Sequence, residues 1–295
     1  MKLSPRFLEI CLLVVLFINS SFSAPGCSIS KDSSVVVLAD VQGGGIGEFS
    51  DKWTRAFFSW WSAAQPDGSL VASFVSDATE LRTFACVLSD TNEFPELVLY
   101  VQPGGSADNA STSLGTGGRD NILDFAASPN GHVMGTCAGF YYMAGTYWWK
   151  SDFYPEAWMT HFFPTVEGDI TEIATYPNYA PVTLDDGRTV IYWGGPTLGM
   201  NNTSGSLPPG SSLLASFQTA ALPKPLPAAI RYEGKYVKAL FNSPHPEAVS
   251  GVGISCDPPL PAGCITPDQQ LQNWKWLAEQ INDLTGKQWV IPNKL

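Results

Sequence analysis

Basic side chains are scarce in this 295-residue sequence. It has 16 lysines and arginines against 27 aspartates and glutamates, which gives a formal net charge of -11. An acidic surface repels phosphate backbones, and the sequence has no cluster of lysines and arginines interleaved with aromatic residues. We therefore expect no nucleic-acid partner.

The sequence also lacks an apolar run long enough to cross a membrane. The apolar segment Phe7–Ile18 is shorter than the ~20 residues that a spanning helix needs. Lys2 and Arg6 precede this segment and small residues, Ser21-Phe22-Ser23, follow it, a pattern typical of a secretory signal peptide. We predict a signal peptide at residues 1–23, no membrane span, and a location outside the cell or in the lumen of the secretory pathway.

Cysteine is sparse as well, with six residues, and none of them has the Cys-x-x-Cys spacing of a zinc site. Cys11 would leave with the signal peptide, so five cysteines would remain in an oxidising compartment and cannot all pair. If Cys137 is the unpaired one, the other four can form two disulfides, in any of three pairings. The pairing favoured by chain proximity joins Cys256 to Cys264 and Cys27 to Cys86. We expect no metal.

Three triplets match the acceptor pattern for N-glycosylation, which is consistent with exposed loops of a secreted protein. Their asparagines are Asn109, Asn201 and Asn202. We predict that at least one of them carries a glycan if the host is a eukaryote.

Hydrophobic periodicity predicts alternating strands and helices. The predicted strands cover residues 35–41, 70–75, 97–101, 132–134 and 235–241, and the predicted helices cover 53–64, 122–127 and 267–284. Ser50 is placed to cap the first helix. This alternation is typical of an α/β domain with a mostly parallel central sheet, and we predict one such domain over residues 24–295.

Two further segments interrupt this α/β pattern. Residues 182–193 contain two short β-type runs around the turn Asp185-Asp186-Gly187-Arg188, which predicts a β-hairpin insertion. Residues 196–212 are rich in glycine, serine, proline and asparagine, and we predict a flexible loop there.

The sequence Gly135-Thr136-Cys137-Ala138-Gly139 places one cysteine between two glycines, after an apolar strand and before a predicted helix. This is the thiol version of the nucleophile elbow, a sharp turn that holds the reactive atom clear of the sheet. Glycines are needed at such a turn because a β-carbon would collide with neighbouring backbone. Cys137 is therefore the candidate nucleophile, with a buried structural cysteine as the alternative.

About a hundred residues later, Ser243-Pro244-His245-Pro246-Glu247 supplies a histidine and a carboxylate. The prolines push the residues before them toward extended backbone, so His245 and Glu247 project to the same side. In cysteine-dependent acyl transfer, a histidine moves the proton and a carboxylate fixes the histidine tautomer. We therefore predict His245 as the base and Glu247 as the residue that orients it.

Acyl transfer also needs backbone donors for the developing oxyanion. The amide that follows the nucleophile, that of Ala138, is one candidate. Gly104 or Gly105 is the other, because both follow an apolar strand at the carboxyl edge of the sheet, where ligands of α/β proteins bind.

Other notable residues are assigned to packing. His132 and His161 are interpreted as packing or surface residues. The glycines at 43–47 miss the dinucleotide-binding pattern because Glu48 stands in place of its last glycine, so they predict a tight turn and we expect no cofactor. Five aromatic residues after the elbow, Tyr141, Tyr142, Tyr147, Trp148 and Trp149, are interpreted mainly as helix packing, although they could also line a pocket.

Four ordered motifs carry a family resemblance: Gln102-Pro103-Gly104-Gly105, the elbow continued through Phe140-Tyr141-Tyr142, Phe163-Pro164, and Ser243-Pro244-His245-Pro246-Glu247. Together they resemble the biotin-protein ligase N-terminal domain family, which is itself similar to class I glutamine amidotransferases. The resemblance implies a flavodoxin-like three-layer sandwich and a Cys-His-Glu triad formed by Cys137, His245 and Glu247. Amidotransferases usually carry glutamine where this chain has Tyr141.

The sequence thus predicts a secreted cysteine-dependent amidohydrolase that works through an acyl-enzyme on a small-molecule or peptide amide. One alternative is a peptidase similar to γ-glutamyl hydrolase, which has the same triad. The other is a non-catalytic extracellular binding module that keeps the amidotransferase pocket.

Overall fold

The structure is a computed structural model, and it describes residues 34–40, 47–75, 96–155, 159–218, 220, 222, 224–251 and 264–295. Residues Lys31–Leu295 form one compact unit. The predicted signal peptide, most of the glycine turn at 43–47, and three cysteines, Cys27, Cys86 and Cys256, lie outside the described residues.

Sixteen elements make up the described part of the chain, twelve strands and four helices. The strands are β1 Val37–Asp40, β2 Ala72–Val75, β3 Leu99–Gln102, β4 His132–Thr136, β5 Tyr147–Trp149, β6 Asp152–Tyr154, β7 Val166–Gly168, β8 Ala180–Leu184, β9 Thr189–Tyr192, β10 Ser211–Gln218, β11 Leu226–Glu233 and β12 Lys238–Asn242. The helices are α1 Glu48–Ser62, α2 Ala107–Ala127, α3 Ala138–Ala144 and α4 Pro267–Thr285. None of these four helices is both long and apolar enough to cross a membrane.

Nine strands form the main sheet in the order β2-β1-β3-β4-β12-β11-β10-β8-β9. The first five strands run parallel to their neighbours, and their order matches that of flavodoxin-like sheets. The pairs from β12 outward are all antiparallel. The α/β class is confirmed, but the predicted mostly parallel sheet is wrong for half of the strand pairs. Strands β10 and β11, which the sequence analysis missed, create this antiparallel half.

Helices cover both faces of the parallel strands. Leu240 of β12 belongs to a core that contains Phe57 of α1 and Leu277 of α4. The next residue, Phe241, stacks on Phe140 of α3 with ring centroids 4.7 Å apart. Because successive side chains of a strand point to opposite faces, α1 and α4 cover one face and α3 covers the other. This three-layer arrangement agrees with the predicted sandwich.

The start of helix α4 follows the capping signal in the sequence, whereas the start of helix α1 does not. Thr266 and Gln269 form a reciprocal capping box at the start of α4, where Pro267 takes the first helical position. Helix α1 instead begins at Glu48, with Gly47 at its cap. The prediction that Ser50 caps this helix is therefore wrong, and Ser50 lies buried inside the first turn.

The predicted hairpin is confirmed as β8 and β9, which pair antiparallel at the outer edge of the main sheet. A backbone hydrogen bond joins this edge strand to the segment that follows β12: His245 N–H donates to the carbonyl of Ile191 in β9 at 2.8 Å. The edge strand thus contacts the segment that follows β12. The antiparallel half of the sheet curls back on itself and holds that segment in place.

Candidate active site

Cys137 lies at the tight turn between β4 and α3. Its backbone has φ 52° and ψ -109°, a left-handed conformation that is rare for a residue with a side chain. The Cys137 N–H donates to the carbonyl of Asn242 at 2.8 Å, which ties the turn to the end of β12. Local strain of this kind clusters at functional sites, and here it presents the sulfur at the carboxyl edge of the parallel strands.

Glycine is required on both sides of Cys137 because other backbone atoms lie very close to these two positions. A β-carbon on Gly139 would lie 1.9 Å from the carbonyl oxygen of Gln102, and one on Gly135 would lie 2.7 Å from that of Gly139. Neither position has room for a side chain. The elbow expected from the sequence therefore has the geometry that its glycines predicted.

The His-Pro-Glu segment places its two functional side chains side by side. Nδ1 of His245 lies 2.9 Å from Oε1 of Glu247, and both side chains are buried. The ring of Trp53 packs edge-on against the imidazole with centroids 5.2 Å apart. The indole N–H of Trp274 donates to the backbone carbonyl of Glu247 at 3.0 Å. These contacts fix the orientation of the imidazole and leave Nε2 as the nitrogen available to Cys137.

Nε2 of His245 is buried and has no hydrogen-bond partner among the described residues. Burial alone lowers the pKa of His245, but its interactions with Glu247, including their hydrogen bond, and with Cys137 outweigh burial and raise the pKa to about 10. The imidazole is therefore protonated at neutral pH. The Cys137 thiol donates to the carbonyl of Trp193 at 3.5 Å and forms no hydrogen bond with Nε2 of His245 in this resting geometry.

Gly104 is the point where the site residues converge. A β-carbon built on Gly104 would lie 2.5 Å from Cε1 of His245, 2.7 Å from Oγ of Ser50 and 3.2 Å from Cβ of Cys137. Only glycine fits between these groups. The structure therefore brings together, around one backbone position, the cysteine and histidine that the sequence analysis singled out.

Ser50 is a site residue that sequence reasoning missed. Its side chain is fully buried, and its hydroxyl has no hydrogen-bond partner among the described residues. The pattern around Ser50 suggested a helix cap, and only the close approach of α1 to Gly104 brings its hydroxyl to the site. The backbone bond from Gly47 N–H to the Gly104 carbonyl, at 3.0 Å, sets this approach.

A cavity of about 250 Å³ opens beside Cys137. Gly105 and Ala138, two of the three predicted oxyanion donors, line it together with Cys137, whereas Gly104 is not part of the lining. Ser106, Ala107 and Gly194 also line it, and six aromatic side chains complete the wall: Tyr141, Tyr147, Trp149, Tyr154, Tyr176 and Trp193. The oxyanion roles stay predictions.

Two residues of this aromatic wall belong to a different kind of element from the one that the sequence predicted. Tyr147 and Trp149 belong to β5, the central strand of a small sheet ordered β6-β5-β7, and not to a helix. They line the cavity, whereas Tyr142 is a fully buried core residue. Helix packing therefore does not hold for Tyr147 and Trp149, which fit the alternative of a pocket lining; it holds for Tyr142, and Tyr141 of α3 does both. Their adjacency in the sequence gave no sign that a separate sheet forms there.

The two other histidines lie outside the site. Nδ1 of His132 contacts the backbone carbonyl of Val98 at 3.1 Å, and burial lowers the pKa of this imidazole. His161 packs against Gly145 at the end of α3. Neither residue lines the cavity beside Cys137.

The cysteines and sequons are placed as follows. Cys137 is free and buried and Cys264 is disulfide-bonded, and the proposed pairings stay predictions. Asn109 is exposed in the first turn of α2, not in a loop. Asn201 and Asn202 are both exposed, and the side-chain amide of Asn202 donates to the buried Glu167 at 3.1 Å.

The loop predicted at 196–212 is anchored at its start. Thr197 is fully buried; its backbone pairs with that of Glu167, and its hydroxyl donates to the carbonyl of Pro227 at 2.7 Å. The last residues of the segment, from Ser211, already belong to β10. Flexibility of the residues between these two points stays a prediction.

No protein-family model matches the chain, and no curated protein matches it. Among solved structures it is similar to a glutamine amidotransferase, with a TM-score of 0.51 and 17% identity over 85% of this chain and 99% of that chain. It is also similar to a ThuA-like protein from Bacteroides uniformis, with a TM-score of 0.46 and 12% identity over 86% of this chain and 94% of that chain. Membership of the biotin-protein ligase N-terminal domain family is not shown. The first likeness establishes the fold alone: the chain has a glutamine amidotransferase-like α/β fold.

Proposed function

We propose that the protein is a cysteine-dependent amidohydrolase in which Cys137 is the nucleophile, His245 moves the proton and Glu247 holds the imidazole. The observation that carries the proposal is the buried contact of 2.9 Å between Nδ1 of His245 and Oε1 of Glu247, beside a cysteine held at positive φ. The glutamine amidotransferase-like fold supports it. A buried ion pair that serves only packing would not need a strained cysteine next to it.

In the first half of the reaction, the Cys137 thiolate attacks the carbonyl carbon of the amide and forms a carbon–sulfur bond. The negative charge that develops on the carbonyl oxygen is accepted by backbone amides, for which Ala138 and Gly105 at the cavity wall are the candidates. His245 is protonated at neutral pH and gives its proton to the leaving nitrogen. The carbon–nitrogen bond breaks, the amine departs, and a thioester remains on Cys137.

In the second half, His245 is neutral and takes a proton from water, and the resulting hydroxide attacks the thioester carbonyl. The carbon–sulfur bond breaks, the carboxylic acid leaves, and the thiolate and the imidazolium are both restored. Glu247 remains ionised throughout and stabilises the imidazolium in both halves. The net reaction consumes one amide and one water and yields one acid and one amine.

Intact mass measurement tests this proposal. The mature protein is incubated with glutamine, γ-glutamyl peptides and simple amides, quenched in acid and weighed. A mass increase that corresponds to the acyl group, absent from a Cys137→Ala variant, is the expected result. The matched control is Cys264 in the same sample, which peptide mapping should find unmodified because it is disulfide-bonded.

Two outcomes would contradict the proposal. An acyl adduct that persists in Cys137→Ala would move the nucleophile elsewhere. No adduct and no product across the panel, with specific binding of an amide retained, would instead identify the protein as a non-catalytic binding module. A γ-glutamyl hydrolase-like activity predicts selective acylation by the γ-glutamyl peptides.

We also propose that the protein is secreted and that Cys137 acts in an oxidising compartment. The support is the pattern of residues 1–23 and the odd number of cysteines that remains after its removal. N-terminal sequencing of the secreted protein from a eukaryotic culture should give a first residue near position 24. Retention of residues 1–23 in the secreted form would contradict this assignment.

A further inference from the structure

The cavity beside Cys137 has walls of aromatic rings. Tyr141 packs edge-on against Tyr147 with centroids 4.8 Å apart, and Tyr147 stacks on Tyr154 at 4.9 Å. On the other side Trp149 packs edge-on against Tyr176 at 5.2 Å. Tyr176 in turn stacks against Trp193, whose backbone carbonyl accepts from the Cys137 thiol. The rings support one another, so the wall is preorganised.

Several polar atoms of this wall are engaged by the protein itself. The Tyr141 hydroxyl donates to the carbonyl of Gly194 at 2.8 Å, and the Trp193 indole N–H donates to the carbonyl of Pro177 at 2.9 Å. The Ser106 hydroxyl accepts from the amide of Asn109. The cavity therefore presents ring faces and edges to a ligand, and two of the polar groups on its rings, those of Tyr141 and Trp193, are already used within the protein.

No aspartate, glutamate, lysine or arginine is among the described residues that line the cavity. Asp169 interacts electrostatically with Tyr141, but its carboxylate is buried and forms an ion pair with Lys150 at 3.7 Å. A γ-glutamyl group carries an ammonium and a carboxylate. Both would lose water in this cavity without gaining a charged partner, which is unfavourable.

From these contacts we propose that the cavity accepts the aromatic or otherwise apolar acyl group of an uncharged amide and rejects the charged γ-glutamyl group. This inference rests on the proposed amidohydrolase function and names its substrate class. The volume fits, since an apolar cavity of about 150 Å³ accommodates benzene and the cavity here is about 250 Å³. One ring on a short linker therefore reaches from the aromatic wall to the sulfur. Ring contacts with Tyr176 and Trp149 position the carbonyl at Cys137.

Hydrolysis of matched amides tests the substrate class. The 3-phenylpropanoyl, acetyl and γ-glutamyl amides of 7-amino-4-methylcoumarin share one leaving group and differ only in the acyl part. We expect kcat/KM for the phenylpropanoyl amide to exceed that for the γ-glutamyl amide by at least about tenfold, the scale on which apolar pockets discriminate. Trp149→Leu and Tyr176→Leu should each reduce this preference. The matched control is Tyr236→Leu, an exposed tyrosine outside the cavity, which should leave it unchanged.

A binding measurement separates failure of the substrate class from failure of the proposed function. Cys137→Ser cannot form the thioester, so calorimetry on this variant with 3-phenylpropanamide and with L-glutamine reports the cavity alone. Tighter binding of the phenyl compound supports the inference even if no amide is hydrolysed. Equal or tighter binding of glutamine, or faster hydrolysis of the γ-glutamyl amide, overturns the inference and leaves the amidohydrolase proposal standing.

Discussion

Nδ1 of His245 and Oε1 of Glu247 lie 2.9 Å apart in the interior of the protein, two residues apart in the sequence. Pro246 stands between them, so the backbone that separates the base from its carboxylate is restricted. The pair is buried, which makes its charge state a matter of stability as well as of chemistry.

The pH dependence of stability should reveal this pair. The pKa of His245 is raised from 6.5 to about 10, so its stabilising contribution is complete below about pH 6.5 and is lost as the pH rises toward 10. The free energy of unfolding measured with urea should therefore decline between pH 6 and pH 10, and a Glu247→Gln variant should lack this decline. The three histidines can also be followed by NMR: His245 should titrate above 6.5 and His132, whose pKa burial lowers, below it. A His245 resonance that titrates below 6.5 would contradict this prediction.

Glu247→Gln should reduce turnover far more than it reduces folding. The amide keeps the size of the carboxylate but removes the charge that stabilises the imidazolium, and we expect kcat to fall by roughly 10²- to 10⁴-fold. The free energy of unfolding should fall by about 1–3 kcal/mol, because a buried polar partner is lost. The matched control is Glu167→Gln, another buried glutamate, which bonds Asn202 away from the cysteine. An equal loss of kcat in both variants would point to a general structural effect.

Substitution of the elbow glycine Gly139 by alanine should destabilise the protein by at least about 2 kcal/mol, because the new methyl would lie 1.9 Å from the carbonyl oxygen of Gln102. Gly117→Ala is the matched control, since its methyl would meet no atom within 4 Å on the exposed face of α2. Alanine is the better helix former, so this variant should gain about 0.5–1 kcal/mol. Thermal denaturation of both variants tests whether Gly139→Ala lowers and Gly117→Ala raises the stability of the protein. A Gly139→Ala variant as stable as the original protein would mean that the turn is looser than described.

Small and bulky thiol reagents should modify Cys137 at different rates, because access to its sulfur is restricted. The residue is free but only 4% exposed, and it lies at the floor of the cavity. We expect iodoacetamide to modify one thiol in the native mature protein, and a bulky fluorescein maleimide to react much more slowly. Cys137→Ala should lose the reactive thiol. Two or more reactive native thiols would show that the other cysteines are not all paired.

Local sequence patterns predicted most of the parallel half of the fold and singled out Cys137 and His245, which the structure brings together beside Gly104. The strand before Cys137 and the amphipathic pattern of α4 are signals carried by a few neighbouring residues, and the structure has both elements within two residues of the predicted bounds. The glycine pattern around Cys137 is also carried by neighbouring residues and could be read directly, although the contact that requires Gly139 is with Gln102 in β3.

The antiparallel half could not be predicted in this way. Strand β10 contains register shifts between Leu213 and Ala215 and between Ala215 and Ser216, and such irregularities interrupt the alternation of polar and apolar residues. Strand β11 contains Pro227 near its start, which lowers its resemblance to a strand. Its pairing with β10 and β12 overrides this local signal.

The sequence left open a pocket lined by aromatics after the elbow, but the complete aromatic wall could not be predicted, for a different reason. Tyr147, Tyr176 and Trp193 come from three separate segments, and only the completed fold places them around one cavity. Ser50 likewise reaches the site through the packing of α1 beside Gly104. Composition shows that aromatic residues are abundant, but their convergence depends on the tertiary structure.

The bridge between Ile191 and His245 has a consequence for the evolution of this chain. An outermost strand normally tolerates change because little depends on it, and its unpaired backbone invites association with other molecules. Here that strand has a partner in the segment that bears the imidazole. Substitutions in the hairpin at residues 180–192 are therefore transmitted to the reacting groups, and natural variation should be restricted there despite its distance along the chain from Cys137.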